Sequence, residues 1–165
     1  MQQSFRIRKF NPNDLQTIMH INRLCLPENY SDMFFMDLYQ RFPETYIVAE
    51  EEEKISGYIM CRIEVGLSHF GFGGLIRKGH VVSIAVLPHG RRKGVAQALM
   101  DRAIEGMLHY NAKQCYLEVR ATNQPGILLY KKLGFDVTRI SNGYYSDGEN
   151  AYIMSKKLLN KSKKL

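Results

Sequence analysis

The segment SIAVLPHGRRKGVAQALM, residues 83–100, carries the strongest chemical signal in the chain. A nearly continuous apolar run ends at Pro88, a basic turn follows, and a helical pattern starts near Gly94. The first-turn N–H groups of a helix, here those of Val95, Ala96 and Gln97, have no partners within the helix and can bind an anion. Gly94 lets a phosphate approach the backbone, Ala96 keeps a side chain out of its way, and Arg91, Arg92 and Lys93 add positive charge. The arrangement is a diphosphate cradle. It is neither a G-x-x-x-x-G-K-[ST] loop nor a G-x-G-x-x-G fingerprint. Six residues alone would also fit a basic surface turn before an ordinary helix.

A second segment, YLEVRATNQPGILLYKKLGF (116–135), places Asn123 at a strand-to-helix junction, where it can cap the helix. Tyr130, Lys131 and Lys132 sit in the last turn, and Gly134 stands where a left-handed residue closes a helix. Tyr130 reads equally as a core aromatic with a satisfied hydroxyl. Three further side chains could take a proton: Glu28 in LPENY (26–30), His80 at the start of a strand, and Glu118 on a later one. If those two strands are neighbours, His80 and Glu118 face each other and can relay a proton through water. Taken singly, Glu118 also fits a half-exposed residue paired with an arginine, and His80 a strand-end hydrogen-bond former. That pair is the candidate metal site, but two ligands make a poor one and no metal is expected. His20, His69, His89 and His109 have no partners in sequence and are assigned to the surface.

These residues need elements to hold them. Phe5 and Ile7 alternate with Arg6 and Arg8, as in a half-buried strand over 4–10. Asn11-Pro-Asn-Asp opens a helix with Leu15, Ile18, Met19, Asn22 and Cys25 at helical spacing, ended before Pro27. Ser31-Asp32 starts a second helix, with Phe34, Phe35, Leu38 and Tyr39 on one face. Strands over 46–50 and 55–65 flank an acidic turn, and the glycines of 66–75 indicate a mobile loop. A strand buried on both faces spans 80–88, and the helix after Gly94 is amphipathic. Strands over 115–120, 135–140 and 151–157 and a helix over 125–133 follow. The order β-αα-βββ-α-β-α-ββ predicts one α/β domain over 1–158, a mixed and mostly antiparallel sheet with helices on both faces, then a basic tail at 159–165.

Composition narrows the partners. The 165 residues carry a net charge of +7, but the final ten contain five lysines and no acid, which leaves +2 for the rest. So weak a charge gives the domain no electrostatic footprint for nucleic acid, although the tail could brush ribosomal RNA. The 45% hydrophobic content excludes disorder. No apolar run approaches the roughly 18 residues of a spanning helix, and the N-terminus has no signal-peptide pattern. Cys25, Cys61 and Cys115 fit reduced thiols in a cytoplasmic protein.

Arg91-x-x-Gly94-x-Ala96 resembles the [QR]-x-x-G-x-[GA] signature of the GNAT N-acetyltransferases, and Asn123, Tyr130, Gly134 and Phe135 match the strand–Asn–helix–Tyr–x–x–x–Gly–Phe segment of that family. Residues 26–30, 77–87, 116–123 and 143–158 extend the resemblance to the N-terminal α-amino acetyltransferases, archaeal forms above all. In the last segment Asn150 stands where an Asp is expected and looks like a surface change. The resemblance implies acetyl-CoA as cosubstrate and protein or peptide N-termini as acceptors. It implies catalytic roles for Glu28, His80, Glu118 and Tyr130, the last near the thioester sulfur, where it could protonate the departing thiolate. Backbone N–H groups of Ile84, Ala85 and Val86 would hold the oxyanion. Asn123, Lys131 and Lys132 would join the cradle in cofactor binding. Glu28, Tyr30, Tyr144 and Tyr145 would wall a peptide groove.

An α-amine, with a pKa of about 7.7–8.0, needs only a modest base, whereas a lysine at about 10.4 asks more. No cysteine lies beside a candidate histidine in the motifs, so direct transfer is expected over an acetyl-enzyme. A ribosomal protein, a polyamine or a lysine are alternative acceptors, and a silent acetyl-CoA-binding regulator is the reading from a different class.

Overall fold

Local chemistry sets the first elements of the computed structural model, which describes residues 4–71 and 73–159. Strand β1 (Arg6–Lys9) leads into a 3-10 turn, Pro12–Asp14. There the Asn11 side chain accepts from the Asn13 N–H and the Asp14 carboxylate accepts from the Asn11 N–H. The capping residues recognised in sequence therefore serve this turn, and helix α1 begins after it, at Leu15–Cys25. Arg8 fixes the junction, donating to both Asp14 oxygens (2.8 and 2.9 Å) and to Glu50 (2.7 Å). Ser31 caps helix α2 (Asp32–Arg41) through the Phe34 N–H.

Strands β2 (Ile47–Glu51) and β3 (Lys54–Leu67) are joined through Glu52 and Glu53, both at positive φ. Strand β4 (Leu75–Val86) is followed by a 3-10 turn at Pro88–Gly90 and by helix α3 (Val95–His109). Then come β5 (Gln114–Arg120), helix α4 (Gln124–Lys132), β6 (Asp136–Ser141) and β7 (Ala151–Lys157). The seven strands form one α/β sheet in the order β1-β2-β3-β4-β5-β7-β6. Its β4–β5 pairing is parallel; β1–β2, β2–β3, β5–β7 and β6–β7 are antiparallel.

Contacts gather in two compact units. The first holds the described residues up to Arg62 together with Val81–Tyr110. Its core joins Ile18 and Ile21 of α1, Phe35 and Leu38 of α2, Tyr46, and the strand residues Val48, Tyr58, Met60 and Ala85. The second holds Ile63–His80 and the described residues from Asn111 onward. On β5 the alternation is clean: Cys115, Leu117 and Val119 are buried while Tyr116, Glu118 and Arg120 are half-buried.

Two expectations change. The glycine-rich stretch is shorter than its composition implied, because β3 continues through Gly66 to Leu67 and β4 already starts at Leu75. Burial on both faces of β4 holds only for Gly79–Val81; from Val82 onward buried and half-buried residues alternate. No helix among the described residues is long and apolar enough to cross a membrane. Most of the basic tail, residues 160–165, lies outside the described residues.

Helix α3 meets the Pro43–Thr45 turn through Gly106, where a Cβ would stand 2.0 Å from the Glu44 carbonyl oxygen. Gly106→Ala therefore forces backbone apart. A loss of about 1–3 kcal/mol is expected, read as a thermal midpoint lower by roughly 2–4 °C per kcal/mol for a chain of this size. An unchanged midpoint would show that the approach can relax freely.

Candidate active site

In the second unit, parallel pairing sets His80 of β4 against Tyr116 of β5. The His80 Nε2 and the Glu118 Oε2 are 2.7 Å apart, so the pair anticipated in sequence meets directly, without an intervening water. Glu118 is paired with this histidine and not with an arginine. The other ring nitrogen, Nδ1, lies 3.4 Å from Glu64 Oε2 on β3, an electrostatic contact too long for a strong hydrogen bond. Glu64 Oε1 accepts from the Tyr116 hydroxyl, and the Tyr116 ring stacks on His80 at 4.4 Å and 4°. His80 is only 6% exposed. Burial disfavours its charged form, but the Glu118 and Glu64 carboxylates outweigh burial and raise its pKa above the ordinary value. Three carbon-linked chains thus converge on one imidazole, yet no group of three metal-ligating side chains with suitable geometry occurs among the described residues.

Beside Glu118 the same unit contains a cavity of about 510 Å³, with His69, Lys78, Tyr116, Arg139 and Tyr144 on its walls. His69 is therefore not a surface group. Its Nδ1 lies 2.7 Å from Ser155 Oγ, and the Lys78 ammonium donates to its Nε2 at 3.2 Å. Burial first, then Lys78 and Arg139, lower its pKa, which keeps the ring neutral with the proton on Nδ1.

Around the α4 segment, the Asn123 side chain accepts from the Gly126 N–H (3.1 Å) and caps the helix, as the sequence indicated. Gly134 closes it at φ +93°, with Phe135 buried behind. Tyr130 stands edge-on to Phe135 at 6.1 Å, and burial pushes its hydroxyl up to about 12. Lys131 and Lys132 occupy the last turn. The 143–149 turn is gripped from β5: Arg120 bonds Asp147 (2.8 Å) and Glu149 (2.7 Å), and lies 4.0 Å over the Tyr145 ring. Tyr144 packs edge-on against Tyr145. Asn150 is more than a surface change, since its side chain accepts from the Gly143 N–H at 2.9 Å and ties the turn together.

The first unit holds the cradle. Gly94 is the N-cap of α3 at φ +83°, no side chain caps the helix, and a Cβ on Gly94 would meet nothing within 4 Å. The N–H groups of Val95, Ala96 and Gln97 belong to this first turn, where no helix carbonyl takes them and a diphosphate could. Ala98 already donates to the Gly94 carbonyl, closing the first helical turn behind them. Arg91 Nε donates to the Val86 carbonyl at 2.9 Å, Lys93 pairs with Glu51 at 3.1 Å, and Arg92 adopts φ +61°. Ile84, Ala85 and Val86 close β4 just before this turn.

The LPENY segment is anchored in the same unit by a polar chain. Buried Asn22 donates to the Glu28 carbonyl (3.1 Å) and to the Tyr58 hydroxyl (3.1 Å), which in turn shares a 2.7 Å bond with Ser83. The Tyr30 hydroxyl donates to the Val82 carbonyl at 3.4 Å, and its ring stacks on Phe34 at 4.7 Å.

Sequence reasoning missed Glu64, Tyr116 and Arg120. Tyr116, Glu118 and Arg120 share one strand face at a spacing of two, a signal that was available. Glu64 was not reachable, because the β3–β4 register decides which carboxylate faces His80.

Comparisons with known proteins give the family. Residues 15–135 match the acetyltransferase (GNAT) family. An N-alpha-acetyltransferase of Saccharolobus solfataricus is 46% identical over 156 residues, covering 93% of each chain. The crystal structure of Ard1 from Thermoplasma volcanium superposes with a TM-score of 0.81 at 31% identity, over 95% of this chain and 99% of that one. Naa20 of Chaetomium thermophilum, solved with a bisubstrate analogue, also gives 0.81, at 30% identity over 93% and 86% of the two chains. The chain belongs to the GNAT family of acetyltransferases. The relatives it matches within that family include N-alpha-acetyltransferases and, in Arabidopsis thaliana, the catalytic subunit of an N-terminal acetyltransferase A complex.

Because the Glu118 and Glu64 carboxylates raise the His80 pKa, Glu64→Gln should lower it toward its ordinary value near 6.5. The shift is upward in the native protein, so the stability it contributes is complete below about pH 6.5 and disappears as pH climbs through the native value. Imidazole NMR titration reads the pKa directly. An identical titration curve in the variant would remove Glu64 from the account.

Proposed function

We propose that the protein transfers the acetyl group of acetyl-CoA directly to the α-amino group of protein N-termini, with the His80–Glu118 pair as the proton acceptor. The 2.7 Å contact between them carries this reading. Two groups so close titrate as a unit, and its accepting form is the one in which they share no added proton. A lone carboxylate near pKa 4 is a weak base for an amine near 8. Coupling to a histidine of raised pKa brings the pair closer to the amine it must serve. Glu28 is the further candidate base, on a segment whose backbone Asn22 holds in place.

Acetyl-CoA supplies a thioester carbonyl, to which the amine nitrogen bonds as the C–S bond breaks. The N–H groups of Val95, Ala96 and Gln97, with Arg91, Arg92 and Lys93, hold its diphosphate, and Asn123, Lys131 and Lys132 contribute to the same cosubstrate. Backbone N–H groups of Ile84, Ala85 and Val86 face the carbonyl oxygen. Tyr130 hydrogen-bonds the departing sulfur and keeps its own proton. A hydroxyl near 12 does not surrender it to a thiolate whose thiol has a pKa of about 8.5. Tyr30, Tyr144 and Tyr145 bind the peptide. Burial of Cys61 and Cys115, which pushes the Cys115 thiol up to about 12, argues against either of these two as an acetyl carrier.

Three measurements test this. Gly94→Val puts a branched side chain into the space in front of α3 and strains a positive φ by roughly 1–2 kcal/mol. Calorimetry should show acetyl-CoA binding severely weakened in the folded variant; unchanged affinity would remove the cradle. For the acceptor, mass spectrometry of free and N-terminally blocked peptides should show acetylation of several first residues and little on internal lysines. Glu118→Gln should lower kcat at neutral pH by about 10–10³ with partial recovery at high pH. Efficient turnover of blocked lysine peptides would overturn the N-terminal assignment.

A further inference from the structure

The cavity beside Glu118 mixes apolar walls, Leu67 and Ile153 among them, with two cationic side chains. Lys78, Arg139 and His69 stand on its walls, and both cations lower the pKa of that ring. Among the described residues neither cation is paired with a carboxylate: Lys78 donates a hydrogen bond to His69 Nε2 and lies 5.2 Å over the Tyr116 ring, while Arg139 is exposed. The acids nearby are already engaged. Glu118 faces His80, and Glu64 takes the Tyr116 hydroxyl and faces the other side of the imidazole. The two cations are therefore left to pair with an acidic group that enters.

Position fixes the occupant. Glu118 belongs both to the proton-accepting pair and to the cavity wall. An extended chain advances about 3.3 Å per residue, so a peptide whose α-amine reaches Glu118 carries its next few side chains past this opening. A volume of about 510 Å³ lies within the range of ligand sites of roughly 300–1,000 Å³. We propose that this cavity is a specificity subsite for an aspartate or glutamate at residue 2, 3 or 4 of the acceptor peptide, held by Lys78 and Arg139. The inference rests on the α-amine reading above. It gives the enzyme a selectivity that first-residue recognition alone does not supply.

The test uses peptides with one common free N-terminus, carrying Glu, Gln or Lys in turn at residues 2, 3 and 4. Their Kd values by fluorescence anisotropy, and their KM and kcat, are measured on the whole protein. At the favoured position Glu should exceed Gln by roughly three- to tenfold, as expected of two partly exposed charges acting together, and Lys should be poorest. The preference should lie in Kd and KM, and should shrink at high salt. Arg139→Gln and Lys78→Met should each bring the Glu/Gln ratio toward one, and Arg139→Glu should invert the order of Glu and Lys. Indifference to Glu against Gln at all three positions, or a ratio unaltered in these variants, overturns the subsite. Because binding is read without turnover, a failure of N-terminal transfer appears separately, as peptides that bind but are not acetylated.

Discussion

A histidine with 6% of its surface exposed is costly to charge, and much of the second unit is arranged around offsetting that cost. Parallel pairing of β4 with β5 fixes His80 opposite Tyr116, and the period of two along β5 then brings Glu118 to the same face. Glu118 takes one nitrogen, Glu64 faces the other, and Tyr116 both covers the ring and occupies the remaining oxygen of Glu64. Removing any one member leaves a buried charge partly uncompensated. Rigidity follows from the same fact, because each side chain is held by a neighbour that is itself held.

The first unit solves a different problem with backbone. A helix start without a side-chain cap forgoes stabilisation of about 1 kcal/mol. Gly94 adds a left-handed φ that few other residues would tolerate. Both features make sense if the free N–H groups are kept for an anion, and the basic turn ahead of them points the same way. Meanwhile Asn22, buried in the core, spends its hydrogen bonds on the Glu28 carbonyl and the Tyr58 hydroxyl, so a loop is held with the precision of a helix.

Much of this was legible from the chain. Element order, the glycine ahead of α3 and the Asn123 cap follow from spacing and residue type, and the His80–Glu118 partnership follows once β4 and β5 are neighbours. What escaped depends on register. Glu64 sits in a strand whose pairing alone decides its partner, and His69 looked like a surface residue because its partners, Ser155 and Lys78, lie 86 and nine positions away. The length of β3 and β4 was misjudged for a local reason. Glycines were read as a loop, whereas Gly66 lies in the strand, where a Cβ would stand 3.1 Å from the Lys78 side chain.

That close approach bears on the cavity too. A larger residue at position 66 would press on Lys78 and shift its ammonium from the His69 nitrogen. The donation from Lys78 fixes the His69 tautomer, and the tautomer sets the bond to Ser155, which also meets Thr138 at 2.9 Å. A glycine in one strand thereby governs where a positive charge stands on a wall shared by four others. The proton chemistry and the charge of the adjoining cavity draw on the same ring stack, since Tyr116 touches His80, His69 and Lys78 alike. Selectivity and proton transfer in such a site are coupled through one aromatic side chain, and a substitution at Tyr116 would disturb both.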